Sequence, residues 1–193
     1  MATWAVRRAT RNRCWGIDAT GKGDQSDTEH FIFGIIDHGT RLNIALVRMV
    51  EQTSEALLHQ VLLAIEAYGQ PRRIKTDNAS VFRSRVFSGT LAALGIRHVF
   101  SGRGKPWQNG RIERLNLTLK KKLNLRIPRD GLQLDGMLKE FRFWYNEIRP
   151  HQHLHGHTPG EAWRGVNPYL RRPVRAIHYS GWNGLLIGWD LRG

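Results

Sequence analysis

Two runs of β-branched and aromatic residues, at 31–36 (FIFGII) and 42–47 (LNIALV), stand five residues apart, and this pair constrains the fold more than any other stretch. Such side chains favour a pleated, half-buried surface, and the intervening DHGTR is short enough to close a hairpin. Upstream, residues 14–20 (CWGIDAT) read as a first strand with Asp18 inside it, and residues 21–30 read as a polar, glycine-containing loop. Downstream the apolar period changes from two to about 3.6. Leu57, Leu58, Val61, Leu62, Ile65 and Tyr68 form the stripe of a helix that Thr53 or Ser54 caps and Gly69 stops. A short strand at 72–76 ends on Asp77, a helix over 85–94 ends at Gly95, and residues 96–100 form another short strand. A last helical stripe, Leu134, Met137, Leu138, Phe141, Tyr145 and Ile148, is terminated by Pro150. Hairpin strands first, helix and strand alternating next, and helices last predict an α/β layer built on a mixed sheet.

Charge narrows the function. Lysine and arginine number 30 against 16 acids, a formal charge of +14, and a polyanion such as nucleic acid is the expected partner of so basic a chain. The single cysteine, Cys14, excludes an internal disulfide and a cysteine-rich zinc module, and it suits a reducing, cytoplasmic setting. No run reaches 18 apolar residues, so no membrane partner is expected. Residues 1–13 read as a basic N-terminal strap, 14–163 as the functional core, and 164–193 as a proline- and arginine-rich linker followed by a small C-terminal β-hairpin appendage at 176–189.

The stretch 102–123, GRGKPWQNGRIERLNLTLKKKL, reads as a glycine-broken loop feeding a basic amphipathic helix. Ile112, Leu115, Leu119 and Leu123 make its buried stripe. Glu113 is a lone acid in a run of cations, either an ion-paired surface residue or a metal ligand beside a phosphate-binding face. Asn116 and Lys120 lie three and seven residues on, stacked above it. Asp18 in a strand, Asp77 at a strand end and Glu113 on this helix can converge on one point. Converging carboxylates repel unless a cation neutralises them, and all-oxygen ligation favours Mg²⁺ or Mn²⁺. Two such ions can clamp both oxygens of a phosphodiester exchange.

The three acids, their order and the 35 residues between Asp77 and Glu113 resemble the D,D-35-E catalytic core of insertion-sequence transposases and retroviral integrases. KTDNASVF resembles the family's second-aspartate turn, the NG pair before Glu113 its flexible loop, and FRFWYNEIRPHQHLHGHTPGEAW its WYN-x-x-RPH segment. The resemblance implies a ribonuclease-H-like mixed sheet flanked by helices. It also implies that Asp18, Asp77 and Glu113 are the catalytic, metal-binding triad for two Mg²⁺ or Mn²⁺ ions. The implied reaction is hydrolysis at the ends of a mobile element followed by attack of the freed 3′-hydroxyl on target DNA, by a homo-oligomer, a dimer or higher, on DNA. Lys105, Arg111, Asn116 and Lys120 are the expected DNA-binding residues. The family's end-reading module is not visible before Asp18, so the chain reads as the core of a longer protein.

Other readings stand beside these. Asp24, Asp27 or Asp37 could replace Asp18 as first ligand, and His151, His153, His155 and His157 alternate as zinc ligands sometimes do. Trp144 and Tyr145 fit a core better than a base-stacking platform, and Asn78 suits a turn. A structure-specific nuclease of the same fold and a catalytically silent DNA-binding relic are the alternative functions.

Overall fold

The computed structural model describes residues 10–101, 110–166 and 174–192. Its strands are β1 (Trp15–Gly23), β2 (Glu29–Asp37), β3 (Asn43–Met49), β4 (Arg73–Thr76), β5 (Arg97–Phe100), β6 (Arg175–Gly181) and β7 (Leu186–Arg192). Its helices are α1 (Ser54–Tyr68), α2 (Ser80–Arg83), α3 (Arg85–Ala93), α4 (Gly110–Leu125), α5 (Gly131–Phe143) and α6 (Pro159–Arg164). Five strands form a mixed sheet in the order β3-β2-β1-β4-β5. β1, β2 and β3 run as an antiparallel meander, and β4 and β5 lie parallel to β1. β6 and β7 form the separate hairpin.

Each sheet face carries its own core. Trp15, Ile17, Phe33 and Ile35 point toward α1 and α3, where they meet Leu57, Val61, Phe87 and Leu91. Ile32, Ile36 and Leu46 point the other way and meet Ile112, Leu115, Leu119 and Leu123 of α4 and Leu134, Met137 and Phe141 of α5. The four apolar residues on the α4 stripe are fully buried. Removing side chains of that size from water contributes about 1.5–3 kcal/mol each, which anchors α4 against the sheet. Arg48 of β3 grips Asp135 of α5 through two hydrogen bonds of 3.0 and 2.8 Å, fixing the second helix beside the first.

Several boundaries differ from the sequence reading. Half of residues 21–30 are strand: Gly21, Lys22 and Gly23 pair with Phe31, His30 and Glu29, which leaves a five-residue turn at 24–28. Backbone pairing forms that ladder without an apolar pattern to announce it. Leu62, assigned to the buried stripe of α1, is exposed, and Ala64 takes its place. The last helical stripe is two elements, because α5 gives way to a π-turn at Trp144–Ile148 in which Arg149 N donates to Trp144 O, five residues back. Residues 159–164, at the edge of the stretch read as linker, form α6. There Thr158 and Glu161 form a reciprocal capping box, with Pro159 at the first helical position.

The termini are tied to this frame. Asn12 donates from its backbone to Asp37 Oδ2 at 2.9 Å and from its side chain to Tyr68 O at 2.7 Å, and it accepts from the Trp15 indole at 3.0 Å. At the other end Trp182 and Leu186 of the hairpin are buried beside Phe141 and Trp144. Trp144 Nε1 donates to Ile187 O at 2.9 Å, and Lys122 donates to Leu185 O at 2.5 Å. No helix among the described residues is long and apolar enough to cross a membrane.

Candidate active site

Asp18 is the fourth residue of β1, on the sheet face that α4 covers. The parallel pairing of β1 with β4 sets Trp15 beside Ile74 and Gly16 beside Lys75. Continued two residues, that register brings Asp18 level with Asp77, the residue that follows β4. The Asp77 backbone is shaped by its own carboxylate, whose Oδ1 accepts from Ala79 N at 3.0 Å and opens the turn into α2. Asn78 Nδ2 donates to Ser101 O at 2.7 Å and ties this turn to the end of β5. Thr76 Oγ1 donates to the Asp77 carbonyl at 2.8 Å and meets His98 Nε2 at 2.9 Å, so the strand end is held from beneath.

Glu113 lies in the first turn of α4 and is exposed. One turn on, Asn116 is buried and donates from Nδ2 to Asp18 Oδ2 at 2.9 Å. α4 crosses the sheet closely enough that a Cβ on Gly34, the β2 partner of Asp18, would stand 3.4 Å from Ile112 and 3.8 Å from the Asn116 amide oxygen. Thus β1, β4 and α4 bring their acids to one end of the sheet.

The carboxyl of Asp18 is pushed up to about 6. Burial is the largest cause, and the charges of Asp77 and Glu113 add to it, Asp77 more strongly. The Ala19 backbone N–H and the Asn116 amide oppose the rise by stabilising the charged form. Among the described residues, no three acid, imidazole or thiol groups stand close enough to hold a metal as the side chains lie. The donor set nevertheless suits a hard divalent cation: three carboxylates that repel one another, with oxygens of Asp18 and Asp77 already oriented by N–H donors.

The remaining candidates are placed as follows. Asp24 is buried in its turn, with Oδ1 accepting from Ser26 N and Thr28 N and Oδ2 meeting His30 Nε2 at 2.9 Å, so its oxygens serve the hairpin. Asp27 sits in the same turn at a φ of 59° and is exposed. Asp37 is fully buried and caps the next turn, accepting from Asn12 N, Thr40 N and Thr40 Oγ1. The alternating histidines do not gather into a cluster: His151 packs edge-on against Tyr145, and buried His157 meets Leu154 O. Trp144 and Tyr145 are core residues. Lys120 and Arg111 are exposed, whereas Asn116, expected on the DNA-facing surface, is turned into the protein toward Asp18. Lys105 and the glycine-broken loop lie outside the described residues. Asn116 falls four residues after Ile112 and three before Leu119, so helical spacing alone places it in the buried stripe, and that was the available signal.

The sheet order, the flanking helices and the position of the acids define an integrase or transposase catalytic core, with a ribonuclease-H-like fold. A family model described as integrase core domain matches residues 8–106, just over half of the chain, and a second model of that description matches residues 94–159. The chain belongs to the integrase core domain family.

Relatives agree. The insertion element IS476 uncharacterized 39.2 kDa protein of Xanthomonas euvesicatoria is 36% identical over 84 residues, 43% of this chain and 24% of that protein. The Gag-Pol polyprotein of Rous sarcoma virus subgroup B is 38% identical over 79 residues, 41% of this chain and 5% of that polyprotein. The match thus spans about a quarter of the insertion-element protein and a small part of the viral polyprotein. Among solved structures, the HTLV-2 integrase catalytic core domain in complex with magnesium, in a dimeric form, aligns with a TM-score of 0.64 at 21% identity, covering 81% of this chain and 99% of that one. A chain of the simian T-cell lymphotropic virus intasome in complex with PP2A regulatory subunit B56 gamma aligns with a TM-score of 0.70 at 23% identity, covering 95% of this chain and 69% of that one. These likenesses establish the fold.

Proposed function

We propose that this chain is the catalytic core of a DNA transposase that cleaves the ends of a mobile element and joins the freed 3′-hydroxyl to target DNA. In this reading Asp18, Asp77 and Glu113 hold two Mg²⁺ or Mn²⁺ ions. Such a pair, when bound, supplies Lewis-acid stabilisation of the attacking and leaving oxygens at the scissile phosphate. The magnesium in the HTLV-2 core supports the choice of metal. The single observation that carries the reading is the meeting of three elements at Asp18: Asp77, just past the end of the neighbouring strand, acts on it by its charge, and α4, which bears Glu113, reaches it through Asn116.

The chain's own groups then have distinct roles. Asn116 holds one Asp18 oxygen and so orients that carboxylate toward the metal. The Ala79 N–H fixes one oxygen of Asp77. Arg111, Lys120 and Lys105 contact DNA phosphates, and the +14 charge draws the duplex in. Residues 14–163 form the working core, 1–13 a basic strap and 164–193 an appendage. The protein works as a homo-oligomer on DNA, in the cytoplasm and at the nucleoid when DNA-bound. The dimeric integrase core and the viral intasome among its structural relatives support an oligomer.

The test is a strand-transfer assay in Mn²⁺ with a labelled oligonucleotide carrying an element end and an unlabelled target. Joined products that vanish with EDTA are expected. Cleavage without joining would mark a nuclease of the same fold, and DNA binding without cleavage would mark a silent relic.

A further inference from the structure

Beside α4, on the opposite side of β4 from α3, a cavity of about 530 Å³ opens among Arg13, His38, Arg41, Arg73, Lys75 and Arg111. Its cations come from separate parts of the fold. Alternation along β4 buries Ile74 and Thr76 on the α1 side and leaves Arg73 and Lys75 on the other. Arg41 is presented by the turn after β2 at a φ of 64°, Arg13 precedes β1, and Arg111 stands in the first turn of α4. The fold therefore collects five positive side chains around one hollow.

None of these five cations takes part in an ion pair among the described residues, where the pairs are His30–Asp24, Arg48–Asp135 and Arg164–Glu147. Asp37 is the acid whose charge reaches Arg41, but it is fully buried and caps its own turn. The crowding shows in the neighbours. His38 is pushed down to about 3, first by burial and then by Arg111, Arg41, Lys75 and Arg73, and its Nε2 is buried without a hydrogen-bond partner. Like charges held together without compensation cost stability, so an arrangement of this kind needs a ligand to offset it.

The hollow has the volume of a small-ligand site. A ring of cations around a concavity suits a concentrated dianion better than the singly charged links of a continuous strand. A terminal phosphate carries about −1.5 to −2 charges at neutral pH. We propose that this cavity is a binding site for a phosphomonoester of nucleotide size, either the 5′-phosphate at the end of a nucleic-acid strand or a free nucleoside monophosphate. The site uses none of the three carboxylates and needs no metal; it shares Arg111 with the DNA-contacting residues of the transposase reading, and its other four cations belong to it alone.

The experiment measures fluorescence anisotropy of a 3′-labelled short single-stranded oligonucleotide, with and without a 5′-phosphate, in EDTA. The wild-type chain is expected to bind the phosphorylated form about tenfold more tightly, as charge-assisted contacts to a dianion allow. The double variant Arg73→Gln/Lys75→Gln should reduce that preference to about twofold or less, while the surface control Arg129→Gln/Lys139→Gln, with the same loss of charge, and the charge-keeping Lys75→Arg should both retain it. Circular dichroism confirms that each variant is folded. Thymidine 5′-monophosphate, added as competitor, separates the two sources. Displacement at concentrations near those of the oligonucleotide assigns a free nucleotide, and lack of displacement with the preference intact assigns a strand end. Equal wild-type affinity for both oligonucleotides, or equal loss of preference in the cavity and control variants, would overturn the proposal.

Discussion

Asn116 of α4 donates its side-chain amide to Asp18 of β1 across 2.9 Å, so the helix that carries Glu113 is tied to the strand that carries the first acid. Asn116 is buried and Asp18 half-buried, and the amide stabilises the charged carboxyl against burial and against the charge of Asp77. Asn116→Ala leaves that carboxyl without its amide donor. A hydrogen bond to a charged acceptor of this kind contributes about 1.5–3 kcal/mol, so thermal denaturation in EDTA should show Tm lowered by roughly 3–10 °C. An unchanged Tm would mean that the contact contributes nothing.

The turn between β1 and β2 carries a pH-dependent device. Hydrogen bonds from His30, Ser26 and Thr28 hold the Asp24 carboxyl below its usual value, with His30 the largest cause. A depressed carboxylate stabilises the fold above its unfolded value and loses that contribution as pH falls through the folded one. Asp24→Asn should therefore lower Tm at neutral pH, and the gap between wild type and variant should shrink as pH falls below about 4. Thermal melts across that range check it. A gap independent of pH would assign the loss to geometry rather than to charge.

The C-terminal hairpin depends on a glycine. A Cβ on Gly188 would stand 2.4 Å from Ile148 Cγ2 and 3.2 Å from the Ile148 carbonyl. The β-branched isoleucine cannot swing away, so Gly188→Ala should force the hairpin off the π-turn and cost about 1–3 kcal/mol. Amide exchange at 175–192 should rise while exchange in β1 to β3 stays slow. Unchanged protection of the hairpin would show that it docks by other contacts.

DNA affinity should be electrostatic. If about six phosphates are neutralised, the logarithm of the binding constant falls with the logarithm of salt at a slope near −5. Titrations at several salt concentrations give the slope directly, and a flat line would contradict a phosphate-tracking surface.

The strands and helices were legible where apolar spacing announced them. Phe33 and Ile35 alternate with Ile32 and Ile36 because β2 is buried on both faces, and the Leu115, Leu119 and Leu123 stripe follows one helix face. What lacked such spacing was missed. The ladder at Gly21 to Gly23 is set by backbone pairing, and α6 is set by a cap and a proline rather than by an apolar stripe. At the site, residue types and order indicated Asp18, Asp77 and Glu113 as a set. The place of Asn116 was obscured because it was read from its stacking above Glu113 rather than from its position in the buried stripe. The cluster was invisible because Arg41, the Arg73 and Lys75 pair, and Arg111 are far apart in sequence and meet only when β4 lies beside β1.

The central claim is tested most directly by Glu113→Gln, measured by cleavage and strand transfer of an oligonucleotide bearing an element end in Mn²⁺. The exchange keeps size and helix propensity, and Glu113 is exposed, so α4 still packs through Ile112, Leu115, Leu119 and Leu123 and DNA binding holds or rises. The variant loses an anionic oxygen for the metal. The account predicts that both reactions fall below detection while DNA affinity and Tm remain at the wild-type level. Wild-type turnover in the variant would show that Glu113 is an ordinary surface residue and that the active site lies elsewhere.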